Sequence, residues 1–151
     1  MIDKILLFPY WLSLKIRHFL YDSGLKKVSS ADVPTICIGN VTVGGTGKTP
    51  HTEMLIRTLL NDEDWGKKNL AVLSRGYKRK TKGFQQVVTD GRAIDFGDEP
   101  LQIKKKFPMA TVAVDKSRKE GCMFLTDPES INTSKKGRKC IHKEFPKADL
   151  I

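Results

Sequence analysis

Apolar positions come in short blocks along this chain, and the spacing inside each block says which element it favours. Residues 5–14, ILLFPYWLSL, form an apolar run with a proline inside it. A bilayer span needs about 20 such residues, so the run is too short to cross. It continues into KIRHFLYDSGLKK without a small-residue cleavage site, which argues against a removable secretory leader. The pattern predicts an amphipathic first helix, with Pro9 as the place for a kink. Gly24 and the polar VSSADVP then mark a loop into the rest of the chain.

VPTICIGNV, β-branched and apolar ahead of a glycine cluster, reads as a buried strand. HTEMLIRTLLN beyond the cluster has helical spacing at Met54, Leu55, Thr58 and Leu59. Leu70 to Leu73 and Thr111 to Val114 supply a second and a third apolar strand, so strand, helix and strand predict a right-handed βαβ unit and a parallel sheet. QQVVTDG predicts a hairpin or an edge strand with TDG as its turn. EPLQIKKKF predicts a helix with Pro100 in its first turn and Asp98 as N-cap, and Asp115 is a second N-cap candidate after the third strand. LTDPESINTSKKGRKCIHKEF is polar and poorly periodic and predicts no element. KADLI looks like the start of another buried strand entering the sheet.

Composition narrows this picture to one core and an anionic partner. A chain of 151 residues with 39% hydrophobic content has the size of one domain. Lys and Arg number 27 against 17 Asp and Glu, a formal +10, which draws polyanions without choosing between nucleotide, nucleic acid and lipid. On the first helix, Tyr10, Trp11, Phe19 and Tyr21 suit a membrane interface, and Lys15, Arg17, Lys26 and Lys27 suit anionic headgroups. That helix therefore either lies in a membrane surface or packs on the domain. The three cysteines, Cys37, Cys122 and Cys140, are an odd number without a C-x-x-C pair, which fits a reducing compartment. Cys140 and His142 have no second ligand pair nearby, so a zinc site is not expected.

The chemistry concentrates in IGNVTVGGTGKTP. Glycines there let backbone N–H groups point into one concavity, the following helix adds its positive end, and a lysine reaches the outer phosphates. The parts are Gly44, Gly45, Thr46, Gly47 and Lys48, and Thr49 adds a hydroxyl able to ligand Mg²⁺. The match to G-x-x-x-x-G-K-[ST] departs at the first glycine, where Thr42 stands. Arg75, Lys78, Arg79, Lys80 and Lys82 form a basic loop after the second strand, either a contact for an anionic substrate or a solvated surface. Asp95, Asp98 and Glu99 form an acidic cluster that can hold Mg²⁺ or accept a proton from an attacking hydroxyl.

Taken in order, CIGNVTVGGTGKTPHTE, LSRGYKRKTKGF, GDEPLQIKKKFP and VAVDKSR resemble the tetraacyldisaccharide 4'-kinase family, which phosphorylates the lipid A disaccharide precursor with ATP. The resemblance covers roughly residues 34–118, and the first helix is similar to the family's membrane-contacting segment. It implies an α/β, P-loop NTPase-like parallel sheet with flanking helices, preceded by an amino-terminal amphipathic helix. It implies a membrane-associated segment over residues 1–28 and a partial P-loop kinase domain over 29–151, peripheral to the cytoplasmic face of a bacterial inner membrane. ATP and Mg²⁺ are the implied cofactors. Lys48 matches the phosphate-contacting lysine and Thr49 the magnesium-ligating hydroxyl. Asp98 falls on the family's Asp-Glu-Pro motif as the group activating the sugar hydroxyl, and Glu99 as a second metal ligand. The family continues past a strand like KADLI into an Asp-Asp-x-Phe-Gln-His motif and a second domain, so the resemblance implies an amino-terminal portion, inactive by itself.

Two other classes fit less well. A non-catalytic, nucleotide-dependent membrane-binding P-loop module of the type of the membrane-attached partitioning ATPases would carry their signature lysine where Val43 stands. A nucleic-acid binder would use the charge but lacks interleaved aromatics or a helix-turn-helix, so no nucleic-acid partner is expected.

Overall fold

The computed structural model describes residues 2–40, 47–135 and 137–151. The chain divides into two compact units, residues 1–30 and 31–151.

The first unit is built on α1 (Ile2–Asp22), which runs through Pro9 without a break. Ser13 and Ser23 donate their hydroxyls to the Tyr10 and Phe19 carbonyls, and left-handed Gly24 closes the end. Phe8 stacks on Trp11 with ring centroids 5.9 Å apart, and the Lys15 ammonium lies 5.7 Å from the Trp11 ring centre. Leu7, Phe8, Tyr10, Trp11, Leu12, Ile16 and Phe19 are all exposed.

The second unit orders its elements as α2 (Lys48–Asn61), β1 (Ala71–Ser74), β2 (Gln85–Gln86), α3 (Ala93–Phe96), α4 (Asp98–Lys106), β3 (Thr111–Val114), α5 (Arg118–Thr126) and α6 (Ser130–Thr133), with 3-10 turns at Trp65–Lys67 and Gly137–Lys139. The sheet has the order β1-β3-β2. β1 pairs parallel with β3, Ala71 opposite Thr111 and Ser74 opposite Val114. The predicted edge strand is β2, and it joins β3 antiparallel, so the sheet is parallel only in part.

β3 is buried along its whole length, as a central strand covered on both faces requires. The two-residue side-chain period splits the core. Val112 and Val114 face one cluster with Ile56, Phe96, Leu101, Ile103 and Phe107, while Ala113 faces another with Phe84, Phe124, Leu125 and Ile131. Phe84 meets Phe124 edge-on at 5.3 Å and Phe145 at 5.7 Å. The polar stretch that predicted no element is tied down by Gln85. Its side-chain amide donates to the Lys82 and Lys139 carbonyls, and its oxygen accepts from the Ile141 N–H.

The KADLI segment enters the sheet as expected, with Leu150 bridged parallel to Leu70. The buried strand expected over 33–41 is not formed in its described part. Its backbone exchanges two hydrogen bonds with Ile151, from Ile36 N–H at 2.8 Å and to Pro34 O at 3.1 Å, and Ile36 remains 47% exposed.

Candidate functional site

α2 starts at a left-handed residue, which explains the glycine before the lysine. Gly47 has φ 78° and ψ 20°, a conformation that a β-carbon penalises, and it hands the chain into the helix with Lys48 as first residue. No side chain among the described residues caps this helix. Its N-terminal N–H groups and the positive end of its dipole are suited to receive an anion, with Lys48 beside them. Gly44, Gly45 and Thr46, expected to complete the loop, lie outside the described residues, as do Thr42 and Val43.

A cleft of about 400 Å³ opens at this point, within the usual range for small-molecule sites. Lys48, Thr49, Ser74, Glu99 and Arg118 bring polar groups to it, and Ile38, Leu55, Leu59 and Val72 are among its apolar walls. Thr52 bonds back along its own helix to the Lys48 carbonyl, whereas Thr49 reaches across to α4. Thr49 donates to Glu99 Oε1 at 3.1 Å, joining the first turns of α2 and α4, 50 residues apart in sequence.

The acidic cluster separates in space. Asp95 pairs with Arg92 at 2.8 Å. Asp98 is exposed and lines a shallow groove with Ala93, Gln102, Lys105 and Lys106, whereas Glu99 turns to Thr49. Successive helical residues diverge by about 100°, so one Asp-Glu pair at a helix start must face two ways. Asp98 is not the N-cap. Gly97 takes that position, and Asp98 is the first helical residue, where its charge still favours the dipole. The donor pair suits magnesium, since two neighbouring oxygen ligands of an octahedral ion with bonds of about 2.1 Å lie about 3 Å apart. The Thr49 and Glu99 oxygens already have that separation.

Gly97 also explains how the Ser-Arg-Gly loop and the Asp-Glu-Pro motif meet. It has φ 95° and ψ 153°, and a β-carbon there would lie 3.2 Å from the Tyr77 carbonyl oxygen and 3.4 Å from the Gly76 α-carbon. The loop after β1 therefore lies against the start of α4.

In the basic loop, Arg79 serves the protein itself. Half-buried, it donates to Thr81 Oγ1 at 3.2 Å and the Gly83 carbonyl at 2.6 Å, and Thr81 in turn donates to the Asp95 carbonyl. Burial lowers the Arg79 pKa and Asp115 opposes that shift. Arg75, Lys78, Lys80 and Lys82 stay exposed. Asp115 is buried at the end of β3, and burial above all raises its carboxyl. One of its oxygens accepts from the Ser117 N–H, and the other has no partner among the described residues. It is not the helix cap either. Ser117, extended at φ −89° and ψ 103°, caps α5 through the Glu120 N–H.

Sequence reasoning overlooked Ser74 and Arg118 as cleft residues. Ser74 ends β1 and Arg118 opens α5 shortly after β3, at the strand ends where α/β sheets collect ligands, and Arg118 donates to the Leu73 carbonyl at 3.1 Å. The expected Cys140 and His142 neighbours meet through the Cys140 thiol and the His142 carbonyl, with the thiol raised mainly by burial.

The tetraacyldisaccharide-1-P 4'-kinase family model matches residues 4–133. The tetraacyldisaccharide 4'-kinase of Porphyromonas gingivalis is 46% identical over 118 residues, which cover 78% of this chain and 32% of that protein. Its counterpart in Flavobacterium johnsoniae is 49% identical over 124 residues, covering 80% and 35%. The crystal structure of LpxK from Aquifex aeolicus in complex with ATP superposes with a TM-score of 0.65 at 34% identity, covering 84% of this chain and 41% of that one. The chain thus spans about a third of the length of these curated relatives.

Proposed function

The chain belongs to the tetraacyldisaccharide-1-P 4'-kinase family, and on that premise we propose that its protein transfers the γ-phosphoryl group of ATP to the 4'-hydroxyl of the tetraacyldisaccharide 1-phosphate precursor of lipid A. The observation that carries the reading is the Thr49–Glu99 contact, which joins the phosphate loop to the Asp-Glu-Pro helix within one cleft.

In this reading the loop residues Gly44, Gly45, Thr46 and Gly47 wrap the phosphates with backbone N–H groups. Lys48 sets its ammonium against the β- and γ-phosphates, where charge builds as the phosphoryl group leaves. Thr49 and Glu99 would hold magnesium, which supplies further neutralisation of phosphate charge when bound. Asp98, facing away from Thr49, takes the proton of the attacking 4'-hydroxyl on the acceptor side. The divergence of the adjacent carboxylates on the first turn of α4 supports giving them separate roles.

The acceptor carries acyl chains, so the kinase must work at a membrane surface. No helix among the described residues is long and apolar enough to cross one. We assign surface attachment, at the cytoplasmic face of the inner membrane, to α1. The support is its exposed aromatic side chains, Trp11 at 51% and Phe19 at 64%, with Lys15, Arg17 and Lys26 close by.

The test is transfer of radiolabelled phosphate from ATP to the disaccharide by the full-length protein that contains this chain. Lys48→Ala should lower the rate by roughly a hundredfold or more, on the scale of losing one preorganised charge-stabilising group. An alanine variant that keeps its rate would remove the phosphate loop from the mechanism.

A further inference from the structure

α2 carries the phosphate-contacting end of the cleft, yet little apolar packing holds it. Of its 14 residues only Ile56 is fully buried, with Leu60 half-buried against the same cluster. Apolar contacts are non-directional, so these anchors hold the helix on the core while setting its rotation and its position along the axis less sharply than polar contacts do. A polar grip supplies what packing does not. Thr49 and Glu53 stand one turn apart on α2, and Glu99, Gln102 and Lys106 follow one another on α4 at spacings of three and four, so each set forms a single stripe. The stripes face each other. Glu53 Oε1 accepts from the Gln102 amide at 2.8 Å, and Oε2 accepts from the Lys106 ammonium at 2.6 Å.

We propose that Glu53 is a positioning residue that holds α4 against α2 so that the Glu99 carboxylate meets the Thr49 hydroxyl, an inference that rests on the functional reading above. Glu53 does not line the cleft and reaches no ligand there, so it acts through Glu99. Its two oxygens are each committed to a different donor one turn apart on α4, which resists rotation as well as translation. A slip of one residue, about 1.5 Å along the axis, would break both bonds together. The side chain is 14% exposed, against 49% for Lys106, so the carboxylate is sheltered while its lysine reaches in from solvent. The hydrogen bonds from Lys106 and then Gln102 hold the carboxyl below its ordinary value, as donors to a carboxylate do. Partners behind metal ligands act in this way elsewhere, orienting oxygens that a small, strictly octahedral ion requires.

The test uses the full-length protein unmodified and as Glu53→Gln, Lys106→Met and the reciprocal pair Glu53→Lys with Lys106→Glu. Exposed Glu63→Gln serves as the surface control. Binding of a fluorescent ATP analogue is measured in EDTA and then along a magnesium titration, with Mn²⁺ binding followed by electron paramagnetic resonance and melting temperatures recorded for each form. Affinity in EDTA should be alike throughout. Both single variants should need roughly tenfold more magnesium or manganese, the low end of the loss seen when a ligand's supporting partner is removed. The reciprocal pair should recover much of that loss. Single variants that titrate like Glu63→Gln would overturn the proposal, and so would a reciprocal pair no better than either single variant. An unmodified protein that binds no nucleotide with or without metal would instead overturn the functional reading, and this inference with it.

Discussion

Gly97→Ala is the substitution for which the structure gives the sharpest expectation. With φ 95° and ψ 153°, Gly97 occupies a region essentially reserved for glycine, where another residue costs about 1–3 kcal/mol. The new β-carbon would also stand 3.2 Å from the Tyr77 carbonyl oxygen, and both neighbours are backbone, which cannot swing aside as a side chain does. Together these effects predict a loss of about 2–4 kcal/mol, a large share of the 5–15 kcal/mol typical of a domain. That corresponds to a melting temperature lower by roughly 5–12 °C for a chain of this size. Urea unfolding should show a lower midpoint with an unchanged slope. Gly39→Ala is the matched control, because its φ is ordinary and none of the described residues lies within 4 Å of the added carbon. It should change stability by no more than about 0.5 kcal/mol or slightly increase it. The loop displacement also bears on the site, since Asp98 follows directly and Glu99 is one residue further on. Magnesium-dependent nucleotide binding should therefore weaken more than binding in EDTA. A Gly97→Ala protein as stable as Gly39→Ala would show that the junction between the two loops is not held as described.

Three more expectations follow from packing, burial and exposure. Phe84→Ala removes a ring that is completely buried between Phe124 and Phe145 and should cost about 3–5 kcal/mol; a loss below about 1 kcal/mol in urea unfolding would contradict the aromatic core. Burial above all raises the Asp115 pKa above that of an ordinary aspartate, so the folded state holds its proton more tightly than the unfolded chain and this residue's stabilisation is lost as pH rises through the folded pKa. Asp115→Asn should accordingly be at its most favourable relative to the unmodified chain at neutral pH, with the difference shrinking in acid below about 4, and a pH-independent difference in unfolding free energy would refute the assignment. In a Trp65→Phe background, Trp11 fluorescence should shift to the blue on adding anionic vesicles and retain part of that shift in high salt, because ring burial is not screened; no shift would remove α1 from the membrane.

Much of the site was legible because its signals are local. Gly47, Lys48 and Thr49 are neighbours, their order reports a helix entered through a left-handed glycine, and the helix that follows repeats on its own period. The same holds for β3, whose four consecutive apolar or β-branched residues read as a central strand, and for α4, where Asp98, Glu99 and Pro100 belong in a first turn. Capping was less legible. Asp98, Asp115 and Ser117 are all plausible caps by type, and the backbone angles of Gly97 and Ser117 decide among them.

What the sequence by itself determined, then, is the kind of chemistry and the elements that carry it: a phosphate loop on a helix, a buried strand, an Asp-Glu pair on a second helix. Tertiary structure alone decided which carboxylate meets Thr49, that Arg79 turns inward while its basic neighbours stay in solvent, and that Glu53 grips Gln102 and Lys106. It also left residues 33–40 without the ladder their composition favours. The physical reason is range. Helical and strand periodicity arise from dihedral preferences over a few residues, whereas Thr49 and Glu99 are 50 residues apart and their meeting depends on the registration of β1 with β3 and on two glycine junctions.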